Sequence, residues 1–276
     1  MQTTNISWAH YTWNPVTGCS HAGPECTNCW AETMEHRQAA RDDPPEHVTG
    51  EDWTQPNAPS VVSCHDDRLH EPDTYTYPDG PGRVFVVSMG DLYHREVGPE
   101  FAQRVLDICS EHPEHVWISL TKRPENARDW NLDFPENVWL GTSVGSGPGG
   151  AFPDTTHRID QLRDIDVETR WVSFEPLIEP IGDVDLSGID WAVVGGETGS
   201  KADRRKMEHA WAADLLEQCR DADVAYHFKQ SSARYPERGT ELAVEVGPGI
   251  FEQREIREYP DLPEIVEQAR SQEVTA

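Results

Sequence analysis

The sequence predicts an α/β fold, a (βα) barrel or partial TIM-like barrel with a cysteine-rich loop near the N-terminus. Three observations lead there. Six short β-rich runs recur at the roughly thirty-residue spacing of right-handed βα units. Their near-continuous apolar character suits parallel strands buried on both faces. The chain's 276 residues match a single barrel of roughly 250 residues.

Taken in order, Ile6 to Trp13 alternates loosely and reads as a first strand feeding the cysteine loop. A polar helical run carries from Trp30 to about Arg41. Residues 42–82, dense in Pro, Asp, Thr and Gly, read as an irregular excursion with short helices at most, either a lid or substrate-binding element or a partly disordered stretch. The six β-rich runs are then Arg83 to Met89, His115 to Leu120, Asn137 to Thr142, Arg170 to Phe174, Asp190 to Val194 and Val224 to Phe228. Amphipathic helices are expected at 99–111, about 154–164 and 208–221, the first burying Phe101, Val105, Leu106 and Cys109, the last Trp211, Leu215, Leu216 and Cys219. Leu242 to Val246 reads as a further strand, and the tail ends in a short polar helix. Residues 1–240 are read as one βα-barrel-like domain including the excursion, and 241–276 as a C-terminal extension.

The formal net charge of −27 would ordinarily argue against nucleic-acid or anionic-membrane partners. That argument is weakened by the distribution of the charge. Lysine occurs only at 122, 201, 206 and 229, and Asp and Glu are spread along the whole chain, as in the solvated acidic shell of a salt-adapted, halophilic protein. High salt would screen the global field and leave binding to local clusters. No apolar run reaches transmembrane length and no leader pattern opens the chain, so a cytoplasmic protein without a membrane partner is expected.

Cys19, Cys26 and Cys29 form a C-x6-C-x2-C pattern inside eleven residues. Three thiolates are one short of a closed zinc site, whereas an iron–sulfur cube held by three cysteines keeps one iron open for an outside ligand. The loop is therefore read first as a catalytic cluster site and second as a zinc site completed by His21, His65 or Cys64. Cys109 and Cys219 read as buried inert thiols.

Each later strand runs into polar or small residues: Ser88 to His94, Thr121 to Glu125, Thr142-Ser143, Ser173 to Pro176, Gly195 to Gly199 and Lys229-Gln230. Catalytic groups of α/β barrels sit at this edge, and three of the four lysines lie in or just after these strand ends. Lys122, Glu175 and Glu197 are the catalytic candidates. Lys201 to Lys206 is the most basic stretch and points to an anionic ligand, a carboxylate or a phosphate. Gly145-Ser-Gly147-Pro-Gly-Gly150 matches a dinucleotide turn only superficially and reads as a mobile loop.

The motifs Trp13-Asn-Pro-Val-Thr-Gly-Cys19, Ser88-Met-x-Asp-Leu-x-His94, Leu120-Thr-Lys-Arg-Pro124, Asn137-Val-Trp-Leu-Gly141, Ser173-x-Glu-Pro-Leu177, Asp190-Trp-x3-Gly-Gly-Glu197 and Phe228-Lys-Gln230 resemble the phage-associated three-cysteine-motif proteins. That family has no assigned reaction and is itself similar to radical S-adenosylmethionine enzymes. The six-residue spacing of the first two cysteines, and Trp30 after the third, depart from the usual radical-enzyme pattern. The resemblance implies that Cys19, Cys26 and Cys29 bind a [4Fe–4S] cluster whose open iron is chelated by S-adenosylmethionine. It also implies that Ser143, Glu175, Gly195 and Gly196 hold that cofactor, while Lys122, Arg123 and Arg204, with Lys229 beside them, meet anionic groups. The expected substrate is an anionic small molecule, a nucleotide, a nucleic acid or a peptide. The alternative is a zinc- or cluster-stabilised binding module with a partner protein in virus–host interaction.

Overall fold

In the computed structural model, which describes residues 1–273, an eight-stranded sheet organises the chain. In chain order the strands are β1 (Gln2–Thr3), β2 (Tyr11–Trp13), β3 (Val16–Thr17), β4 (Ser63–Cys64), β5 (Arg83–Val86), β6 (Val116–Thr121), β7 (Val138–Ser143), β8 (Thr169–Phe174), β9 (Trp191–Gly195), β10 (Ala225–Gln230), β11 (Glu241–Gly247) and β12 (Ile250–Glu255). The helices are α1 (Trp30–Ala39), α2 (Ala58–Val61), α3 (Glu71–Thr74), α4 (Pro99–Glu111), α5 (Pro124–Asp129), α6 (His157–Arg163), α7 (His209–Asp221) and α8 (Glu264–Glu273). The sheet order is β1-β2-β5-β6-β7-β8-β9-β10, with every pair parallel except the short β1 against β2. The fold is thus mixed α/β with a mostly parallel sheet, and the six β-rich runs are its last six strands.

Barrel closure is not observed: among the described residues no ladder joins β10 to β1. The tail explains why. Phe228 donates its N–H to the Ile256 carbonyl and Glu258 donates to Tyr226, so residues 256–258 cover the edge of β10 that a closing strand would use. The first strand is also shorter than its sequence pattern. Only Tyr11–Trp13 pairs with the sheet, because residues 6–9 turn inward: Trp8 enters the core and the Ser7 hydroxyl bonds His227 of β10 at 3.1 Å. β11 forms as expected but pairs with β12 in a separate antiparallel hairpin.

Period-two alternation sends the strand side chains into two cores. Val86, Trp117, Leu140, Val172, Val194 and Phe228 face the apolar stripes of α4, α6 and α7. The opposite face carries Phe85, Ile118, Trp139, Trp171, Trp191 and Val193, over which Trp8 packs with its ring 5.4 Å from Trp171. This tryptophan layer depends on Gly141, which pairs with Trp171. A Cβ there would stand 2.3 Å from the indole, which instead crosses β7 to donate to the Ser119 carbonyl. Val266 of α8 and Tyr259 close the same core beside the first residues of β6 and β9, leaving the opposite, C-terminal ends of the strands to polar groups.

Helix α1 is polar for a local reason. Its buried residues are Ala31 and Glu35, and with Glu32 it uses carboxylates to hold the excursion: Glu32 accepts the Trp53 N–H, and Glu35 accepts those of Thr49 and Gly50. No helix among the described residues is long and apolar enough to cross a membrane.

Candidate functional site

The cysteine loop lies across the C-terminal ends of β5, β6, β7 and β9. Asn14 starts it by accepting bonds from the Ser88 hydroxyl and the Met89 N–H, at 3.1 and 2.9 Å, just beyond β5. Gly18 then bridges to Gly90 with φ of 81°, where a Cβ would collide with the Val61 carbonyl, so only glycine fits.

Three carboxylate–guanidinium pairs clamp the loop from Cys19 onward. Arg123, after β6, is 3.0 Å from Asp91 and reaches the Ser20 carbonyl at 2.5 Å and the Cys19 sulfur at 3.4 Å. Arg158, on α6, is 3.1 Å from Glu25 and holds the Ala22 and Ser143 carbonyls. Arg205 forks onto Glu197 and donates to the Pro24 carbonyl, while Glu197 also accepts from Asn28, between the second and third cysteines. Five of these six charged side chains are at least nine-tenths buried, and Arg205 is 17% exposed. Charges this deep are tolerated because each is paired and hydrogen-bonded.

The clamped loop presents Cys19, Cys26 and Cys29. Cys19 and Cys29 pack on one small apolar cluster of Ala31, Trp53 and Val61. Burial pushes the Cys19 thiol up to about 12 against the opposing pull of Arg123, with Cys26 and Cys29 adding to the rise, and burial raises Cys29 as well. The Cys19 and Cys29 thiols therefore hold their protons at neutral pH, and a metal would have to displace them. The three sulfurs are not drawn together like ligands of a single ion, for among the described residues the His, Cys and carboxylate group within 4.8 Å is Glu32, His36 and Asp52. A cube places several irons between its thiolates and asks for wider spacing. The residues named as fourth zinc ligands are engaged or turned away: His21 bonds Glu32 at 2.8 Å, His65 bonds Thr17 at 2.8 Å, and Cys64 is exposed on β4.

The strand-end candidates divide into two kinds. Lys122 is half-buried with Ser143 Oγ at 3.3 Å and, among the described residues, no carboxylate at ion-pair distance; burial works against its charge, but Cys26, Glu25 and Cys29 outweigh it and raise its pKa. Glu175 is held by Lys229 at 2.8 and 3.0 Å and by Gln230 at 3.4 Å, against Gly195. Gly196 donates to the Gln230 carbonyl. Glu197 is saturated by its clamp, which gives it a holding role toward the loop. Arg204 bonds the Gly199 carbonyl, and it is the neighbouring Arg205 that meets Glu197. Sequence reasoning missed Ser20, Glu25, Asn28 and Arg158, and it included Asp91 and Arg205 only within a polar strand end and a basic stretch, without a role of their own. One signal was available: the helical pattern puts Arg158 on the buried side beside Ile159 and Leu162.

Two cavities, of about 340 and 680 Å³, are lined without the three cysteines: the first lies under the excursion against Asn14, Gly18 and Met89 at the start of the cysteine loop, and the second between α7 and the β11–β12 hairpin.

Among solved structures, the chain matches spore photoproduct lyase complexed with dinucleoside spore photoproduct at 11% identity and a TM-score of 0.43, covering 99% of this chain and 74% of that one. A mutant of spore photoproduct lyase matches at 13% identity and a TM-score of 0.41, with 99% and 74% covered. No curated protein matches the chain. A family model described as "Protein of unknown function (DUF5131)" matches residues 3–260, and the chain belongs to that family.

Proposed function

We propose that this protein is a radical S-adenosylmethionine-like enzyme that uses a [4Fe–4S] cluster on Cys19, Cys26 and Cys29. The observation that carries the reading is the clamped loop: three thiols with, among the described residues, no His, Cys or carboxylate drawn in as a fourth ligand, fixed at the C-terminal edge of a parallel sheet by three ion pairs from three different βα connections. This donor set fits a cube with one open corner better than tetrahedral zinc, which takes four ligands. Cys19, Cys26 and Cys29 would hold the cluster, and the chemistry it would supply is one-electron cleavage of S-adenosylmethionine, with the electron drawn from an external reductant, into methionine and a deoxyadenosyl radical able to take a hydrogen atom from substrate.

The chain's own residues do the rest. Arg123 and Lys122 set positive charge beside the sulfurs, offsetting the charge thiolates bring to a buried site. Ser143, Glu175 and Gly195 end adjacent strands on the face that carries the tryptophan layer, where the carboxylate can accept from a ribose hydroxyl or an amine. The tryptophans fill the space at the other end of that face and exclude water from below. Lys122, with no carboxylate at ion-pair distance among the described residues, supports an anionic substrate such as a nucleotide.

The test is turnover. Full-length protein reconstituted with iron and sulfide without oxygen, given S-adenosylmethionine and a reductant, should release deoxyadenosine. A protein that takes up iron yet leaves S-adenosylmethionine intact, with an unchanged cluster spectrum, would refute the reading.

A further inference from the structure

Helix α1 carries Glu32 and His36 one turn apart, the spacing by which a helix presents paired metal ligands on one face. Asp52 returns over them from the excursion. Among the described residues, the ligand atoms of these three lie within 4.8 Å of one another, with His36 Nε2 3.6 Å from Asp52 Oδ1. A fourth group makes this more than an exposed acidic cluster. Glu35 is 7% exposed; its Oε1 accepts two backbone N–H groups, while its Oε2 has no hydrogen-bond partner and stands 4.0 Å from His36 Nε2. A buried carboxylate oxygen without a donor is costly unless a cation meets it.

We propose that Glu32, His36 and Asp52 form a divalent-cation site, backed by the Glu35 carboxylate, that pins residues 49–53 over the cysteine loop. Carboxylates with one imidazole suit a first-row ion such as Mn²⁺ or Fe²⁺, and with Asp52 exposed and His36 half-buried coordination positions are left to water. The ion would act on the cysteines through Trp53. That residue donates its N–H to Glu32 at 2.7 Å, and its side chain belongs to the cluster on which Cys19 and Cys29 pack. The site thus gives the excursion a role, as a cover whose order depends on a cation.

The site stands apart from the iron–sulfur reading, and its test uses Mn²⁺ alone, so either can fail without the other. Full-length protein freed of metal by chelation is titrated with Mn²⁺ and followed by electron paramagnetic resonance. The expected result is about one tight Mn²⁺ per chain, weakened at least about tenfold by His36→Gln and by Asp52→Asn, with Asp43→Asn unchanged. Asp52 is exposed and His36 half-buried, and circular dichroism checks that each variant folds. In the wild type, Mn²⁺ should also slow proteolysis within residues 42–62. Absence of tight binding, or binding that His36→Gln and Asp52→Asn leave intact, would overturn the site and leave histidine–carboxylate contacts and diffuse counterions as the account.

Discussion

The guanidinium of Arg123 stands 3.4 Å from the Cys19 sulfur, and the same nitrogen is 3.0 Å from Asp91. One side chain thereby joins the end of β5, the end of β6 and the first cysteine. Arg123→Met would leave Asp91 buried with hydrogen-bond donors but no cation, which typically costs about 3–5 kcal/mol. Urea unfolding should register that loss, and Asp91→Asn in the same chain should recover much of it. A single variant within about 0.5 kcal/mol of wild type would show that the pair does not hold the loop.

The clamps also separate two neighbouring arginines. Arg205→Ala frees the Pro24 and Asn28 region and should speed iron loss to a chelator by roughly 10–100-fold, as expected when groups supporting metal ligands are removed. Arg204→Ala removes one bond to the Gly199 carbonyl and should leave that rate near wild type. Equal effects of the two would mean that the basic stretch acts through bulk charge alone.

Acid should unfold this protein through its buried histidines. Burial, with Arg123 adding, holds His94 down to about 4, and burial, with Arg257 adding, holds His227 down to about 3. The unfolded chain therefore binds more protons below about 6.5, so the stability contribution is complete above that pH and is lost as pH falls toward the folded values. His227→Gln should flatten the fall in Tm between pH 6.5 and 4, and a parallel decline would exclude this histidine as a source.

Gly141→Ala tests the tryptophan layer. The added methyl would lie 2.3 Å from the Trp171 indole, and overpacking of this kind costs about 1–3 kcal/mol. Displacement of Trp171 should change the near-ultraviolet circular dichroism; unchanged stability together with an unchanged spectrum would show that the indole does not cross β7 as described.

How much of the fold and the site was legible in the sequence depends on which forces are local. The six strands and helices α4 and α7 could be read because period-two and helical apolar patterns report burial directly. Helix α1 could be located, but the purpose of its carboxylates could not, since Glu35 and Glu32 bind backbone groups 14 and 21 residues away. Between a full and a partial barrel the sequence could not choose, because nothing local announces that residues 256–258 will cover β10. At the site the cysteines stood out by spacing, whereas their supports did not. Glu25 and Arg158 are 133 residues apart, and only the fold makes them a pair. The preference for Arg204 over Arg205 was a choice between adjacent like charges, which composition cannot make.

The central claim is that Cys19, Cys26 and Cys29 carry an iron–sulfur cube. Metal and sulfide analysis of the full chain after anaerobic reconstitution tests it most directly, on wild type and on three variants in which one of these cysteines is replaced by alanine. The account predicts about four irons and four sulfides per wild-type chain, lost in each of the three variants and retained in Cys109→Ala, whose thiol is buried on α4. Stoichiometric zinc in protein purified without oxygen, with no iron taken up on reconstitution, would contradict it.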